Sequence, residues 1–439
     1  VKRALRPDLA VIGAGAGGLS IAAGAAQLGC SVVLFEHGEM GGDCLNVGCV
    51  PSKALIAAAA KGWDFARAMA HVRSTIETIA PIDSQERFEG LGVTVIRETA
   101  RFVDRRTLES DSVRVTARKT VIATGTRPKV PPIPALDGVS YFTNETIFTL
   151  TSLPERLTVI GGGPIGLELG QAFARLGSKV TVFEADRCLA KEDPDIAAVV
   201  LDQLRADGLD IRERARVEAI EPGATVLVAT GRAPNVEDLN LEAAGVAHDG
   251  HGVCTDKSLR TTNRRVFAVG DITGRAAFTH VAGAHASLFV RRALFASPVN
   301  ADALVIPRVT YTDPELAAVG LTETEARARH GDAIKVVTQP LHDNDRAQAE
   351  SDTRGFGKLI TDRRGRILGA AIVGKDAGDL IGPITLAMSA GVKLSALAGV
   401  IAPYPTRGEI AKRLAGAWYS PILFAPRTRR LVSLLKRIA

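Results

Sequence analysis

Cysteine, aromatic side chains and long apolar runs are all scarce in this 439-residue sequence, and each scarcity closes a route. Five scattered cysteines are too few for the disulfide framework of a small secreted domain, and the one close pair is Cys44 and Cys49, four residues between them. No second Cys or His pair at ligand spacing accompanies them, so a zinc site is excluded and no metal is expected. No apolar run reaches the roughly 18 residues needed to cross a bilayer. The opening Val1-Lys2-Arg3 leads into a strand rather than a signal peptide, which makes a soluble, cytoplasmic protein the expectation. Acid is missing from the C-terminal end. From Ile410 onward there are seven Lys or Arg and no Asp or Glu, so the formal charge of +6 belongs to the tail and the rest sums to about −1. That distribution argues against a nucleic-acid partner.

What the chain does have is glycine and aliphatic bulk. Forty-three glycines, 46% hydrophobic residues and only 5% aromatics point to helices layered on sheets, and the length calls for two or three domains. The apolar strand Asp8 to Ile12 runs into Gly13-Ala14-Gly15-Ala16-Gly17-Gly18, a small-residue helix to about Leu28, and a second strand Ser31 to Phe35 closed by Glu36. The pattern returns: Leu157 to Ile160, then Gly161-Gly162-Gly163-Pro164-Ile165-Gly166, a helix to about Leu176, and Lys179 to Phe183 closed by Glu184. In such loops the first glycine makes a tight turn, the second lets backbone approach a pyrophosphate, and the third lets helix pack on strand. The helix N-terminus offers unpaired N–H groups to the phosphates, and the acid about twenty residues on accepts from a ribose hydroxyl. Two nucleotide-binding units are therefore expected. Glu184 would repel a 2′-phosphate and favours NAD over NADP, a preference that nearby Arg187 could partly reverse. Strands ending in Thr124-Gly125, Thr230-Gly231 and Gly270-Asp271 continue these units, a helical pattern follows from about His280 to Phe295, and a proline-rich segment after Gly125 reads as an extended crossing. After Pro307 the texture becomes α+β, with strands Gly357 to Thr361 and Ile367 to Val373 and helices at about 322–330 and 377–391.

The sharpest local signal is Gly41-Gly42-Asp43-Cys44-Leu45-Asn46-Val47-Gly48-Cys49-Val50-Pro51-Ser52-Lys53. Pro51 suits the first turn of a helix, which puts Cys49 near a positive helix end and Lys53 one turn later, an environment that favours thiolate. A catalytic pair and two inert core cysteines are the readings left. Cys30, Cys188 and Cys254 have no motif around them.

This run, both glycine loops, Ala-Thr-Gly at 123–125 and Ala-Val-Gly-Asp at 268–271 resemble the class I pyridine nucleotide-disulfide oxidoreductases, which include dihydrolipoamide dehydrogenase, glutathione reductase and mercuric reductase. The resemblance extends through Val309-Thr310-Tyr311-Thr312-Asp313-Pro314-Glu315. It implies an α/β fold of two Rossmann-like FAD- and NAD(P)-binding domains plus a C-terminal α+β dimerisation domain, and a homodimer. The implied boundaries are 1–145 for the first part of the FAD domain, 146–262 for the NAD(P) domain, 263–302 for the FAD return and 303–439 for the dimerisation domain with its basic tail. It further implies that Gly13, Gly15, Gly18, Glu36, Thr124, Gly125, Gly270 and Asp271 hold FAD, and that Gly161, Gly163, Gly166, Glu184 and Gly231 hold NAD, with NADP possible. Lys53 and Glu168 match an ion pair beside the flavin, Cys49 the thiol next to flavin, and Cys44 the outer thiol that attacks substrate, the two forming a redox-active disulfide.

Three features depart from the family. Where it carries His-Pro-Thr-x-x-Glu, with the histidine as base, this chain has Tyr404-Pro405-Thr406-Arg407-Gly408-Glu409, and tyrosine is a poor base at neutral pH. Tyrosine there resembles mercuric reductase, but that enzyme has a second cysteine pair near its C-terminus, and no cysteine follows Cys254. The stretch Ile220 to Thr225 is shorter than the family's hairpin, through truncation or the joining of two ends. The expectation is an NAD(P)H oxidoreductase passing electrons through flavin and Cys44-Cys49 to a disulfide-type or other small-molecule acceptor. Its alternatives are a quinone or metal-ion reductase using flavin directly and a slow-turnover redox sensor. The tail from Phe424 to Ile438 reads as a basic amphipathic helix, placed either on an anionic membrane surface or against its own dimer with the arginines solvated.

Overall fold

The computed structural model describes residues 2–436. Within these bounds the chain divides into two compact units, one of residues up to Phe183 with Ala215–Leu304 and one of Glu184–Arg214 with the residues from Val305 onward. The first unit is built on a five-stranded parallel sheet in the order Val266–Ala268, Lys119–Ile122, Leu9–Ile12, Val32–Phe35, Val93–Ile96. Leu9–Ile12 and Val32–Phe35 are apolar at every position because both faces of the sheet are covered. Alternation sorts their side chains. Leu9, Val11 and Leu34 meet Leu19, Ile21 and Phe289, from the helices Ala16–Gln27 and Thr279–Ala293, whereas Ala10, Ile12, Val33 and Phe35 meet Phe102, Leu108 and Val115. The latter three come from a mixed layer that the sequence reading did not foresee, ordered Arg3–Leu5, Val113–Thr116, Thr107–Glu109, Arg101–Phe102, with the first pair parallel and the others antiparallel. Leu9–Ile12 lies between Val32–Phe35 and Lys119–Ile122, so strand order reverses at its C-terminal end, where such sheets open a ligand crevice.

The glycine-loop pattern repeats in Arg156–Ile160, which pairs in parallel with Lys179–Glu184 and Thr225–Val228, and the helix Pro164–Arg175 leaves its loop. The short connection before Thr225 closes as a turn, with the Ala224 N–H on the Glu221 carbonyl at 3.0 Å and Gly223 at φ +77°. The two segments that follow the Thr-Gly turns, Thr126–Pro128 and Arg232–Pro234, pair antiparallel with each other. The proline-rich crossing is extended only to Ile133 and then makes a 3-10 turn at Pro134–Leu136.

The second unit holds an antiparallel sheet in the order Pro307–Thr310, Glu315–Gly320, Ile367–Gly374, Phe356–Asp362, Ile334–Pro340. The helix Glu409–Leu423 packs Ile410, Leu414 and Trp418 on it, and the Trp418 indole N–H donates to Thr361 at 2.7 Å. The helix expected over 377–391 is instead two, Ala377–Leu380 and Gly382–Ser389, since Pro383 brings no N–H to a continuous ladder and suits a first turn. The fold class is thus α/β with two Rossmann-like units and a C-terminal α+β part. Among the described residues no helix is long and apolar enough to cross a membrane, and no cluster of three or more His, Cys, Asp or Glu could hold a metal ion.

Charge explains why Glu184–Arg214 belongs with the C-terminal sheet. Lys358, 3% exposed, lies 2.6 Å from Asp195, 3.2 Å from Glu323 and 3.5 Å from Asp193. Asp193 precedes the helix Pro194–Ala206 and accepts the Glu323 N–H, while Arg308 grips Glu192 with two bonds of 2.6 and 2.9 Å. Removing Lys358 leaves buried Asp193 without its cation, while half-exposed Asp195 and part-exposed Glu323 can turn to water, so Lys358→Met is expected to cost about 1–3 kcal/mol. The readout is a lower denaturation midpoint for this unit by hydrogen exchange of its strands; an unchanged midpoint would mean that water, not Lys358, satisfies the acids.

Candidate active site

Sterics define the first glycine loop. Gly13 has φ +103°, and a Cβ there would fall 2.5 Å from the Ala123 carbonyl oxygen; one on Gly18 would fall 1.9 Å from the Gly13 carbonyl oxygen. Strand, loop and helix are therefore in backbone contact, and any side chain would push them apart. At Gly15, by contrast, a Cβ would meet nothing within 4 Å, and no side chain caps the helix that starts at Ala16. Open space beside unpaired N–H groups is what a pyrophosphate requires. Glu36 is buried at the strand end, one oxygen on the Ala14 N–H and the other on the Gly38 N–H, both at 2.7 Å. Thr124 and Asn235 hold each other's backbone, with Thr124 Oγ1 donating to the Asn235 carbonyl at 2.9 Å and Asn235 Nδ2 to the Thr124 carbonyl at 2.8 Å; the Asn235 N–H also reaches the Gly125 carbonyl. Gly270, at φ +73°, donates its N–H to Nδ1 of fully buried His285 at 3.1 Å. Burial, with Arg275 adding, pushes that imidazole down to about 4, so it is neutral and free to accept. Asp271 beside it is raised by burial, against the pull of Arg232. The open space at Gly15 beside a helix N-terminus, with Glu36 buried at the strand end, would fit a dinucleotide.

The second loop repeats the geometry. A Cβ on Gly161 would fall 2.4 Å from the Ala229 carbonyl oxygen and one on Gly166 2.0 Å from the Gly161 carbonyl oxygen, while Gly163 faces open space. Gly231 has φ +127°. Glu184 ends its strand and accepts the Asp186 N–H at 2.9 Å. Arg187, which the sequence left able to favour a 2′-phosphate, spends one guanidinium nitrogen on the Ala190 and Glu192 carbonyls, both at 2.9 Å. Cys188 is buried and pushed up to about 12 by desolvation, an inert thiol.

The thiol segment lies against the first loop, since a Cβ on Gly42 would be 2.8 Å from the Gly15 Cα. Cys44 sits in the short helix Gly42–Asn46, and Cys49 opens the helix Cys49–Ala60. Both are free thiols here. One hydroxyl serves both: Thr279 Oγ1 is 3.3 Å from Cys44 Sγ and 3.5 Å from Cys49 Sγ. The two sulfurs differ in acidity. Cys49 is lowered to about 6 by the hydrogen bond from Cys44, with Thr279 and the Lys53 charge helping against desolvation, while Cys44 is raised by its bond to Cys49 and by burial. Lys53 Nζ lies 2.7 Å from Glu168 Oε2, and Glu168, on the helix of the second loop, is 4% exposed. A further chain of contacts starts next to Cys44: Asp43 pairs with Arg232, whose guanidinium donates to the Thr126 hydroxyl and carbonyl at 2.6 Å, and Thr126 reaches Asp271 at 3.4 Å.

Tyr404 and Glu409 belong to the second unit. Tyr404 Oη donates to Asp345 Oδ2 at 2.9 Å, which raises its pKa and leaves a proton donor already engaged. Glu409 has one buried oxygen without a hydrogen bond, 3.9 Å from Arg413. Sequence reasoning missed Thr279, His285, Thr126 and the Asp43–Arg232 pair. Only the last carried a signal, a carboxylate beside the first cysteine and an arginine after the second Thr-Gly turn.

Comparison with known proteins adds the following. Residues 7–286 match the family described as pyridine nucleotide-disulphide oxidoreductase, and residues 306–415 match its dimerisation domain. The chain is 36% identical over 459 residues to a mercuric reductase of Streptomyces lividans, covering 94% of this chain and 97% of the relative. It is 34% identical over 455 residues to dihydrolipoyl dehydrogenase 2 of Haloarcula marismortui, covering 93% and 96%. Among solved structures, the Cu(II) complex of the HOCl-induced flavoprotein disulfide reductase RclA from Escherichia coli superposes with a TM-score of 0.87 at 31% identity, covering 93% of this chain and 99% of the other.

The acidity of Cys49 can be read by alkylation. In the reduced protein, iodoacetamide labelling of Cys49, followed by mass spectrometry, is expected to rise with pH through a midpoint of about 6, because only the thiolate reacts. Lys53→Met removes a charge that favours thiolate and moves the midpoint up; Glu168→Gln removes one that opposes it and moves the midpoint down. A midpoint near that of an unperturbed thiol in all three proteins would contradict the assigned environment.

Proposed function

The chain belongs to the pyridine nucleotide-disulphide oxidoreductases, FAD-dependent enzymes that use NAD(P)H, and from that premise we propose that it passes electrons from NADH through flavin and the Cys44–Cys49 pair to a small acceptor that bonds sulfur. The observation that carries the reading is the shared Thr279 hydroxyl between two thiols of unequal acidity, with Lys53 and Glu168 alongside. When bound, FAD would accept a hydride and hand an electron pair to the cysteine disulfide. Gly13, Gly15 and Gly18 would leave room for its pyrophosphate, Glu36 would take a ribose, Asp271 the ribityl chain, and Thr124, Gly125 and Gly270 would shape the walls. Gly161, Gly163, Gly166, Glu184 and Gly231 would hold the nicotinamide nucleotide, with the Lys53–Glu168 pair at the meeting point.

In the reduced pair, Cys49 holds the negative charge and Cys44 attacks. With a disulfide acceptor, a Cys44–acceptor bond forms as the acceptor's own S–S bond breaks and one thiolate leaves. The Cys44 proton passes to Cys49 as Cys44 attacks; Cys49 then yields it to the departed thiolate and attacks Cys44, the second thiolate leaves and takes a proton from water, and Cys44–Cys49 is again a disulfide, two electrons having passed to the acceptor. Splitting the roles suits exchange chemistry, since the stabilised Cys49 thiolate is the better leaving group when the pair is reduced in turn. Tyr404, bonded to Asp345, offers no base. The acceptors that fit are those needing no proton from the protein: disulfides with acidic leaving thiols, or soft metal ions that take both sulfurs. The names of the mercuric reductase and of the Cu(II) complex support the second limb. The dimerisation domain supports a homodimer.

Anaerobic stopped-flow separates the relay from direct flavin chemistry. Cys44→Ser is expected to keep NADH-driven bleaching of the flavin and to lose acceptor turnover by several orders of magnitude; unchanged turnover would assign the acceptor to the flavin itself. With Glu184 ending its strand, kcat/KM is expected to favour NADH over NADPH. A large preference for NADPH would reverse that assignment.

A further inference from the structure

The helix Glu409–Leu423 ends in exposed apolar residues, Ile422 (53%), Leu423 (58%) and Phe424 (61%), and Pro426 opens a second helix, Pro426–Leu435, with no buried residue at all. At 100° per residue, Leu431, Val432, Leu434 and Leu435 of that tail helix fall on one sector, and each is 45–58% exposed. Arg429, Ser433 and Lys436 occupy the opposite sector and Arg430 the flank, while Arg427 stands at the N-terminal end of the apolar sector, one turn before Leu431. No Asp or Glu lies between Ile410 and the last residue, and among the described residues no carboxylate pairs with Arg427, Arg429 or Arg430. Arg437 and Ile438, which extend the sequence pattern, lie outside the described residues.

We propose that the tail helix Pro426–Leu435 is an interfacial helix that lays Leu431, Val432, Leu434 and Leu435 into an anionic lipid surface. Apolar residues flanked by arginine, on a segment without acid, match such a surface in both terms: the leucines enter the acyl boundary and the guanidinium groups meet lipid phosphates. A second copy docked tail on tail fits less well, because a two-fold axis would set arginines against arginines with no carboxylate on the segment to meet them. Nucleic acid would satisfy the charge and leave the leucines in water. The inference is independent of the electron relay.

The test is sedimentation of the FAD-loaded protein with vesicles of phosphatidylcholine alone and of phosphatidylcholine with phosphatidylglycerol. Pelleting is expected only with the anionic vesicles and is released by salt. Leu431→Asp with Leu434→Asp, and separately Arg427→Gln with Arg429→Gln and Arg430→Gln, should each weaken partitioning by about tenfold or more; unaltered flavin absorbance shows that either variant folds. The proposal is overturned if pelleting is the same with and without anionic lipid, or if neither variant changes it. It is equally overturned if the leucine variant splits a dimer in size-exclusion chromatography while the parent protein ignores vesicles, since the face would then be a subunit contact.

Discussion

Burying a carboxylate is costly unless a cation meets it, and the contact between Glu168 and Lys53 at 2.7 Å is the constraint on which the candidate site turns. Glu168 stands on the helix that leaves the second glycine loop, Lys53 on the helix that begins at Cys49. One ion pair therefore ties the thiol segment to the second nucleotide-binding unit. The thiol segment is tied to the first loop by Gly42, which no larger residue could replace against Gly15, so the cysteines are held from two sides by contacts of different kinds. Lys53 also acts at a distance on Cys49, where its charge lowers the thiol while Glu168 raises it. The partial cancellation leaves the hydrogen bond from Cys44 as the larger influence, so the acidity of the pair is set mainly by the pair.

Local chemistry was legible before any coordinates. Gly13, Gly18, Gly161 and Gly166 are required by backbone approaches within a few residues or between adjacent strands, and short-range constraints of that kind leave a spacing pattern behind. The buried strands were legible for the same reason, as unbroken apolar runs between glycine turns. Thr279 was not. It lies 230 residues from Cys49 and meets the sulfurs only because Thr279–Ala293 packs beside Ala16–Gln27 on the parallel sheet. His285 was hidden similarly: one imidazole in an apolar helix face reads as core, and only the Gly270 N–H at 3.1 Å gives it a task. Nor did the pattern around Glu184 reveal that the residues after it keep company with the C-terminal sheet, because Lys358 and Arg308, which hold Asp195 and Glu192, stand far along the chain with nothing in their neighbourhoods to mark them.

Proton supply is where this chain's own residues bear most on the chemistry proposed for it. A thiol hydrogen-bonded to a neighbouring thiolate, as Cys44 is to Cys49, must shed its proton before it can attack, and the nearest acceptor is that same neighbour. Moving the proton across costs the acidity difference between the two sulfurs, a toll a histidine would remove and Tyr404, donating to Asp345, does not. Disulfides with basic leaving groups would meet the cost twice, at attack and at departure. A soft metal ion meets it differently, because coordination itself drives protons off thiols and both sulfurs end as ligands. A tyrosine in place of a base is thus a loss for one acceptor class and nearly neutral for the other.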